Sequence, residues 1–400
     1  MPDNFLHGIE IIEMDDGARP IQTVASAVIG LVGTAPQGPV NTPTLILGSR
    51  TEAIKIFGED TDGYTIPAAL DAIFDQAGAM VVVVNVADPE NENHLDEDGE
   101  LDPSKITQAD IVGGTNTDGT YRGLQCLLAA QSECGVQPRI LIAPGFTHQR
   151  EDTANQVVES LKPIADRLRA VVIADCPNGS KEDAVKYRKD LSSARIYCVY
   201  PWVKVAKGED IVEEPASGRI AGIIAKSDNE RGFWWSPSNC EINGIVGVSK
   251  PIDFTLGDTV CVANYLNEND IATIIQQDGF RLWGNHTTST DAKWRFLGVR
   301  RTADMINDSL LRAHLWAIDR NITKTYCADV AEGVNNYLRY LKNIGAIIGG
   351  ECWTDASLNT ADQIQQGKIT FDFDFTPPYP AEHITFRSRM VDSYLEEIFE

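Results

Sequence analysis

An α/β fold, with a largely parallel sheet covered by helices, is what this chain predicts, followed by a smaller α+β part at the C-terminal end. Three observations predict it. Continuous apolar runs, Ile140-Leu-Ile-Ala143, Ala170-Val-Val-Ile-Ala174 and Ile196-Tyr-Cys-Val-Tyr200, recur in the middle of the chain. Between them, residues 153–168 and 181–191 carry apolar side chains at helical spacing. Strands apolar on both faces and joined by amphipathic helices build parallel sheets buried on both sides. Near the C-terminus the pattern changes to period two, in Ile369-Thr-Phe-Asp-Phe-Asp-Phe375 and His383-Ile-Thr-Phe-Arg-Ser-Arg-Met390, as in half-buried strands.

In chain order, Gly8-Ile-Glu-Ile-Ile-Glu-Met14 is a strand-like segment inside an N-terminal arm, residues 1–20. Residues 24–32 read as a strand, a Gly/Pro loop follows, and Thr44–Leu47 reads as a second strand. A short helix over 51–57 ends at Gly58, a helix over 66–76 follows, and 80–86 is a buried strand. Pro215 opens another helix, with Glu213 and Glu214 near the positive end of its dipole. Four hundred residues exceed what one core usually organises, so a boundary is expected, and the Pro/Gly stretch 251–257 supplies it. The expected units are 21–255 and 256–390, with a C-terminal arm over 391–400.

In the second unit, 270–277 reads as a helix stopped by Gly279, and 280–285 and 294–299 read as strands. A helix from Thr302 to about Arg320 places Ile306, Leu310, Ala313 and Ala317 on one face. Arg301, Asp304, Asp308 and Arg312 lie opposite, on an expected solvated face. A further helix over 328–342 buries Val330, Val334, Tyr337, Leu338 and Leu341, with Glu332, Asn335, Asn336 and Arg339 on its other side. Residues 369–375 and 383–390, joined by Thr376-Pro-Pro-Tyr-Pro380, predict a hairpin. Two strands are too few for a stable sheet in water, so further strands must come from elsewhere. Apolar strand-like segments at both termini suggest that other copies of the chain anchor them.

The net charge of −24 argues against direct binding to nucleic acid or to anionic membranes. Residues 88–102 hold eight acids and no Lys or Arg, as in a solvated loop. By contrast, 280–345 holds ten Lys/Arg against six Asp/Glu, a basic island suited either to an acidic partner surface or to the protein's own acids. No apolar run reaches membrane-span length, and the N-terminus lacks a secretory pattern, so folding in a cytoplasm and no membrane insertion are expected. The eight cysteines sit singly in apolar surroundings, without metal or redox spacing.

Enzyme motifs are missing. There is no Gly-x-Ser-x-Gly, no Gly-x-Gly-x-x-Gly, no phosphate loop ending in Gly-Lys-Ser/Thr and no His-Glu-x-x-His. His148 and Asp175, at successive strand ends, are the best acid/base pair on offer, and ordinary polar strand termini are the stronger reading. Trp234-Trp235 and Trp283 lack basic flanks for a stacking platform, and Arg300-Arg301 is a weak nucleic-acid signal.

Four segments, in this order and spacing, carry a family resemblance: Val32-Gly-Thr-Ala-Pro-Gln-Gly-Pro39, Asp278-Gly-Phe-Arg-Leu-Trp-Gly-Asn285, Arg312-Ala-His-Leu-Trp-Ala-Ile-Asp319 and Thr376-Pro-Pro-Tyr-Pro-Ala-Glu382. Along almost its whole length the chain resembles contractile tail sheath proteins of temperate myophages and R-type bacteriocins. The resemblance implies a structural subunit without catalysis, metal or cofactor, stacked in rings around a tail tube. Baseplate and tail terminator proteins would be its further partners, the particle's tail its place, and the host cytoplasm its site of assembly. It also implies an outer α/β domain likened to subtilisin in fold but not catalytic, and a small C-terminal sheet completed by strands from neighbouring subunits. The expected strand-exchange residues are Ile9, Ile11, Met14, Phe371, Phe373, Ile384, Phe386, Tyr394 and Ile398. Lys324, Arg339 and Lys342 are the candidates for facing the tube. The alternatives are a cytosolic α/β hydrolase resting on His148 and Asp175, or another tail component, against which length and the α/β half argue.

Overall fold

The computed structural model describes residues 21–61, 63–150, 152–392 and 394. Eight strands form its main sheet: β1 (Ile29–Gly33), β2 (Thr44–Leu47), β3 (Met80–Asn85), β4 (Ile140–Ile142), β5 (Val171–Asp175), β6 (Ile196–Val199), β7 (Ile271–Gln276) and β8 (Phe280–Trp283). Their order is β8-β7-β6-β5-β4-β1-β3-β2. The six inner strands are parallel, and each edge strand pairs antiparallel.

The apolar runs explain this sheet, because alternate residues enter two different cores. Val81, Ile140, Ile142, Ile173, Tyr197 and Ile274 face one side. Val84, Leu141, Val172, Ile196, Cys198 and Ile271 face the other. Helices Thr65–Phe74 and Ser217–Glu230 cover the first side, and Gln156–Leu168 and Lys181–Lys189 the second. The two helices on the first side cross closely at Gly222. A β-carbon there would sit 2.8 Å from the Ile73 carbonyl oxygen, so glycine is what permits the approach.

The sheet extends further along the chain than the sequence suggests. Residues 271–276 form strand β7 rather than a helix, because Ile271-Ala-Thr-Ile-Ile275 is rich in β-branched residues and buried on both faces. With β8 they add to the same sheet, so the expected boundary at 255/256 falls inside it. The expected strand at 294–299 is also absent. Helix Leu297–Ala313 begins there instead.

Two helices, Leu297–Ala313 and Lys324–Asn343, carry the C-terminal core. The second buries Val330, Val334, Tyr337, Leu338 and Leu341, the five residues its periodicity picks out. The first departs from expectation, since Arg301, Asp304 and Asp308 are buried rather than solvated. Arg301 pairs with Asp228 at 2.6 and 2.5 Å, Asp304 with Arg195, and Asp308 with Arg139. That face docks on the α/β body through ion pairs, and helical periodicity cannot distinguish such a face from a wet one.

Candidate assembly interface

The C-terminal core ends in a two-stranded antiparallel sheet of β9 (Gly349–Trp353) and β10 (Asp372–Thr376), with Gly349 opposite Thr376 and Trp353 opposite Asp372. Period two sorts β10 and the residue before it. Phe371, Phe373 and Phe375 turn onto the core around Val334, Tyr337, Leu338 and Leu341, while Asp372 and Asp374 take the other face. The two edges of this sheet differ. Asn335, on the long helix, donates from Nδ2 to the Cys352 carbonyl at 2.9 Å and accepts from the Cys352 N–H at 2.8 Å. Those two β9 groups are therefore unavailable to another strand. Beyond β10 no further strand lies among the described residues.

The expected hairpin of 369–375 with 383–390 does not form. Strand β10 pairs with β9 instead, and 383–390 holds no strand. Strand β9 escapes sequence reasoning because Gly349-Gly350 interrupts the alternation, although Cys352 still points inward. After Glu382 the chain leaves the protein body. Ile384 is 66 % exposed, Phe386 91 %, Met390 102 % and Tyr394 70 %. An arm with apolar residues at alternate positions is thus presented to solvent. Ile9, Ile11, Met14 and Ile398 lie outside the described residues.

Lys324, Arg339 and Lys342 are all exposed, and the 18-residue spacing of the two lysines brings them back to one azimuth about 27 Å apart. Arg339 pairs with Glu332 and bonds Asn336 on its own helix. Much of the rest of the basic window is spent internally, through Arg295–Asp270, Arg300–Asp304, Arg301–Asp228 and Arg312–Asp308.

No hydrogen bond joins His148 and Asp175, the pair on which the enzyme alternative rests. Asp175 is fully buried, which raises its pKa to about 6 against the opposing hydrogen bonds of Ser217 and Thr147. Its Oδ1 accepts from the Ser217 N–H at 2.8 Å and its Oδ2 from the Thr147 hydroxyl at 3.5 Å. His148 packs instead edge-on against Trp202, with ring centroids 4.9 Å apart, in a cavity of about 460 Å3, and burial lowers its pKa. Of the aromatic candidates, Trp235 is half exposed under Arg231 and the other two pack within the fold. Trp283 packs on Phe254 and Trp234 on Phe233.

The chain thus combines a multilayer α/β body, an exposed strand-patterned arm and a small two-stranded sheet. Family models identify its kind. The phage tail sheath protein central domain matches residues 119–288, the phage tail sheath C-terminal domain 289–390, and the tail sheath protein Gp18 domain III N-terminal region 26–86. The chain is 41 % identical over 404 residues to a putative prophage major tail sheath protein of Pseudomonas aeruginosa strain UCBPP-PA14, covering 99 % of each. It is 35 % identical over 407 residues to the tail sheath protein of Escherichia phage P2, covering 99 % of this chain and 98 % of the relative. The chain belongs to the phage tail sheath family. Its fold also matches the contracted helical sheath of the anti-feeding prophage, with a TM-score of 0.69 at 22 % identity over 97 % of this chain and 100 % of that one. The contracted sheath of an extracellular contractile injection system, PVC, gives 0.66 at 16 % identity over 98 % and 99 %.

Proposed function

We propose that this protein is the sheath subunit of a contractile tail, polymerising as stacked rings around a tail tube and contracting to drive the tube through a target envelope. The observation that carries the reading is the exposed arm, whose Ile384, Phe386, Met390 and Tyr394 have no core of their own while β10 has an edge to spare. Exposed alternating apolar residues and an unpaired edge are the two halves of a strand-addition joint. Backbone hydrogen bonds hold such a joint, and the arm absorbs the motion as subunits slide. In this reading residues 1–20 and the arm beyond Glu382 reach into neighbouring subunits, with Ile9, Ile11, Met14, Tyr394 and Ile398 as anchors. Phe371, Phe373 and Phe375 shape the core under the receiving sheet. Lys324, Arg339 and Lys342 face the tube, where individually weak charge contacts are multiplied around a ring. The energy of contraction resides in a metastable extended lattice and is released as better subunit contacts form.

Baseplate and terminator proteins bound the polymer at its ends, assembly takes place in the host cytoplasm, and the subunit performs no catalysis. Electron microscopy of the purified chain at high concentration tests the central claim. Hollow tubes are expected from the intact protein, and folded monomers from chains lacking 1–15 or 391–400. Normal tubes from both truncations would refute strand donation.

A further inference from the structure

His286 sits where the C-terminal arm leaves the body. It is 8 % exposed, and its two ring nitrogens face two different carboxylates. Nδ1 is 3.2 Å from Asp270 Oδ1, and Nε2 is 3.0 Å from Glu382 Oε2. The ring packs edge-on against Phe296 at 5.0 Å, and Phe296 in turn against Tyr379 at 5.8 Å, so both residues that fix the arm root converge on this spot. Other charged groups complete the surroundings. Arg295 bonds Asp270 at 2.7 and 2.8 Å, and Arg188, from helix Lys181–Lys189, bonds the other oxygen of Asp270. Glu382 is the last described residue bonded to the body. Beyond it, the only hydrogen bond among the described residues joins Thr385 with His383, within the arm itself.

A neutral imidazole has one N–H, whereas the imidazolium has two. Both nitrogens here face acceptors, so the full set of contacts requires the protonated ring. Once the proton leaves, one carboxylate must face a nitrogen lone pair. Asp270 is buried and fixed by Arg188 and Arg295, so it cannot turn away from a ring nitrogen without a proton, and Asn285 is a further polar neighbour of Glu382. Glu382, with a side chain 39 % exposed, can turn to water instead.

We propose that His286 is a pH-sensitive latch on the C-terminal arm: protonated, it pins the arm root through Glu382, and deprotonated, it releases the root and widens the arm's reach. The electrostatics agree in direction. Burial lowers the His286 pKa, but the bonds to Asp270 and Glu382 outweigh it and the net shift is upward. The Glu382 pKa is lowered, chiefly by His286. The pin therefore holds from above the carboxylate range up to the raised His286 pKa and is lost as pH rises through it.

The latch is a property of the unassembled chain, so its test stands apart from strand donation. The arm carries Arg387 and Arg389, both exposed. Trypsin cleavage at these two sites, followed by mass spectrometry from pH 6 to 9, is compared between wild type and Glu382→Gln. Comparing the two proteins at each pH removes the protease's own pH dependence. Wild type should be cut about threefold more slowly than the variant below the His286 midpoint, with the two rates converging above it. The His286 midpoint, read by NMR, should fall in Glu382→Gln. Equal cleavage rates at every pH, or an unchanged midpoint, would overturn the latch. Glu382 is surface-accessible, so the variant keeps its fold, and thermal unfolding of both proteins checks this.

Discussion

Arg195, at the amino end of β6, meets Asp304, in the middle of helix Leu297–Ala313, in a two-pronged ion pair at 2.5 and 3.0 Å. The pair belongs to a pattern. Arg139, Arg169 and Arg195 stand immediately or shortly before the three adjacent parallel strands β4, β5 and β6, and Asp304 and Asp308, one helical turn apart, receive them. The C-terminal helices are held to the α/β body by charges desolvated at the strand ends.

Removing one member of this pair should cost far more than removing both. Asp304→Ala leaves Arg195 buried without this partner and should lower stability by about 3–5 kcal/mol. Replacing the two together, Arg195→Met with Asp304→Leu, should cost less than either single change, because Arg195 leaves with its partner and only the part-exposed Arg300, which also lies over Trp294, loses a carboxylate. Urea midpoints of the two singles and the double form the cycle that checks this. A double mutant as weak as the sum of the singles would exclude the mechanism.

Asp175 should give stability an inverted pH dependence at its own position. Its folded pKa of about 6 lies above the ordinary aspartate value, so the folded chain binds the extra proton in the window between the two. Its contribution is then unfavourable at neutral pH and is relieved as pH falls from about 7 to 4. Asp175→Asn should be more stable than wild type at pH 7 by about 2–3 kcal/mol, with the gap closing by pH 4. Chemical denaturation of both proteins at several pH values reads the gap directly.

On the arm, Phe386→Asp should separate folding from assembly. The ring touches little of its own chain, so monomer stability should change by no more than about 0.5 kcal/mol. Tube formation seen by electron microscopy should be lost, because a charge replaces an apolar anchor. A loss of monomer stability above that size would mean the arm folds back on its own body.

Reversing the outward charges of the long helix, Arg339→Glu with Lys342→Glu, should likewise spare the monomer. Assembly templated by purified tube protein, followed by sedimentation, should weaken and become less sensitive to salt. Unchanged templated assembly would move the tube contact elsewhere.

Much of the fold is legible in the residues because burial on both faces leaves a continuous apolar trace, as in β4, β5 and β6. The long helix is equally plain, since one stripe of it meets a core and the other water. What resists reading is structure set by partners distant in sequence. Ile271–Gln276 has helical spacing of apolar residues and becomes a strand because β6 offers it an edge. Asp304 and Asp308 resemble solvent residues until Arg195 and Arg139 arrive from across the sheet. At the interface, the alternating Phe371, Phe373 and Phe375 are visible at once. Their partner strand is hidden by Gly349 and Gly350, and the latch at His286 joins residues 270, 286 and 382, which no local motif unites.

Asn335 gives the small sheet a polarity. By occupying the N–H and C=O of Cys352, it stoppers one edge and leaves growth to the other. In the strand-donation joint proposed above, donor arm and acceptor edge are different surfaces of one chain. Where such unions run head to tail, each one leaves a fresh donor at one end and a fresh acceptor at the other. A row built by such head-to-tail unions has a direction in its bonding, a front and a back.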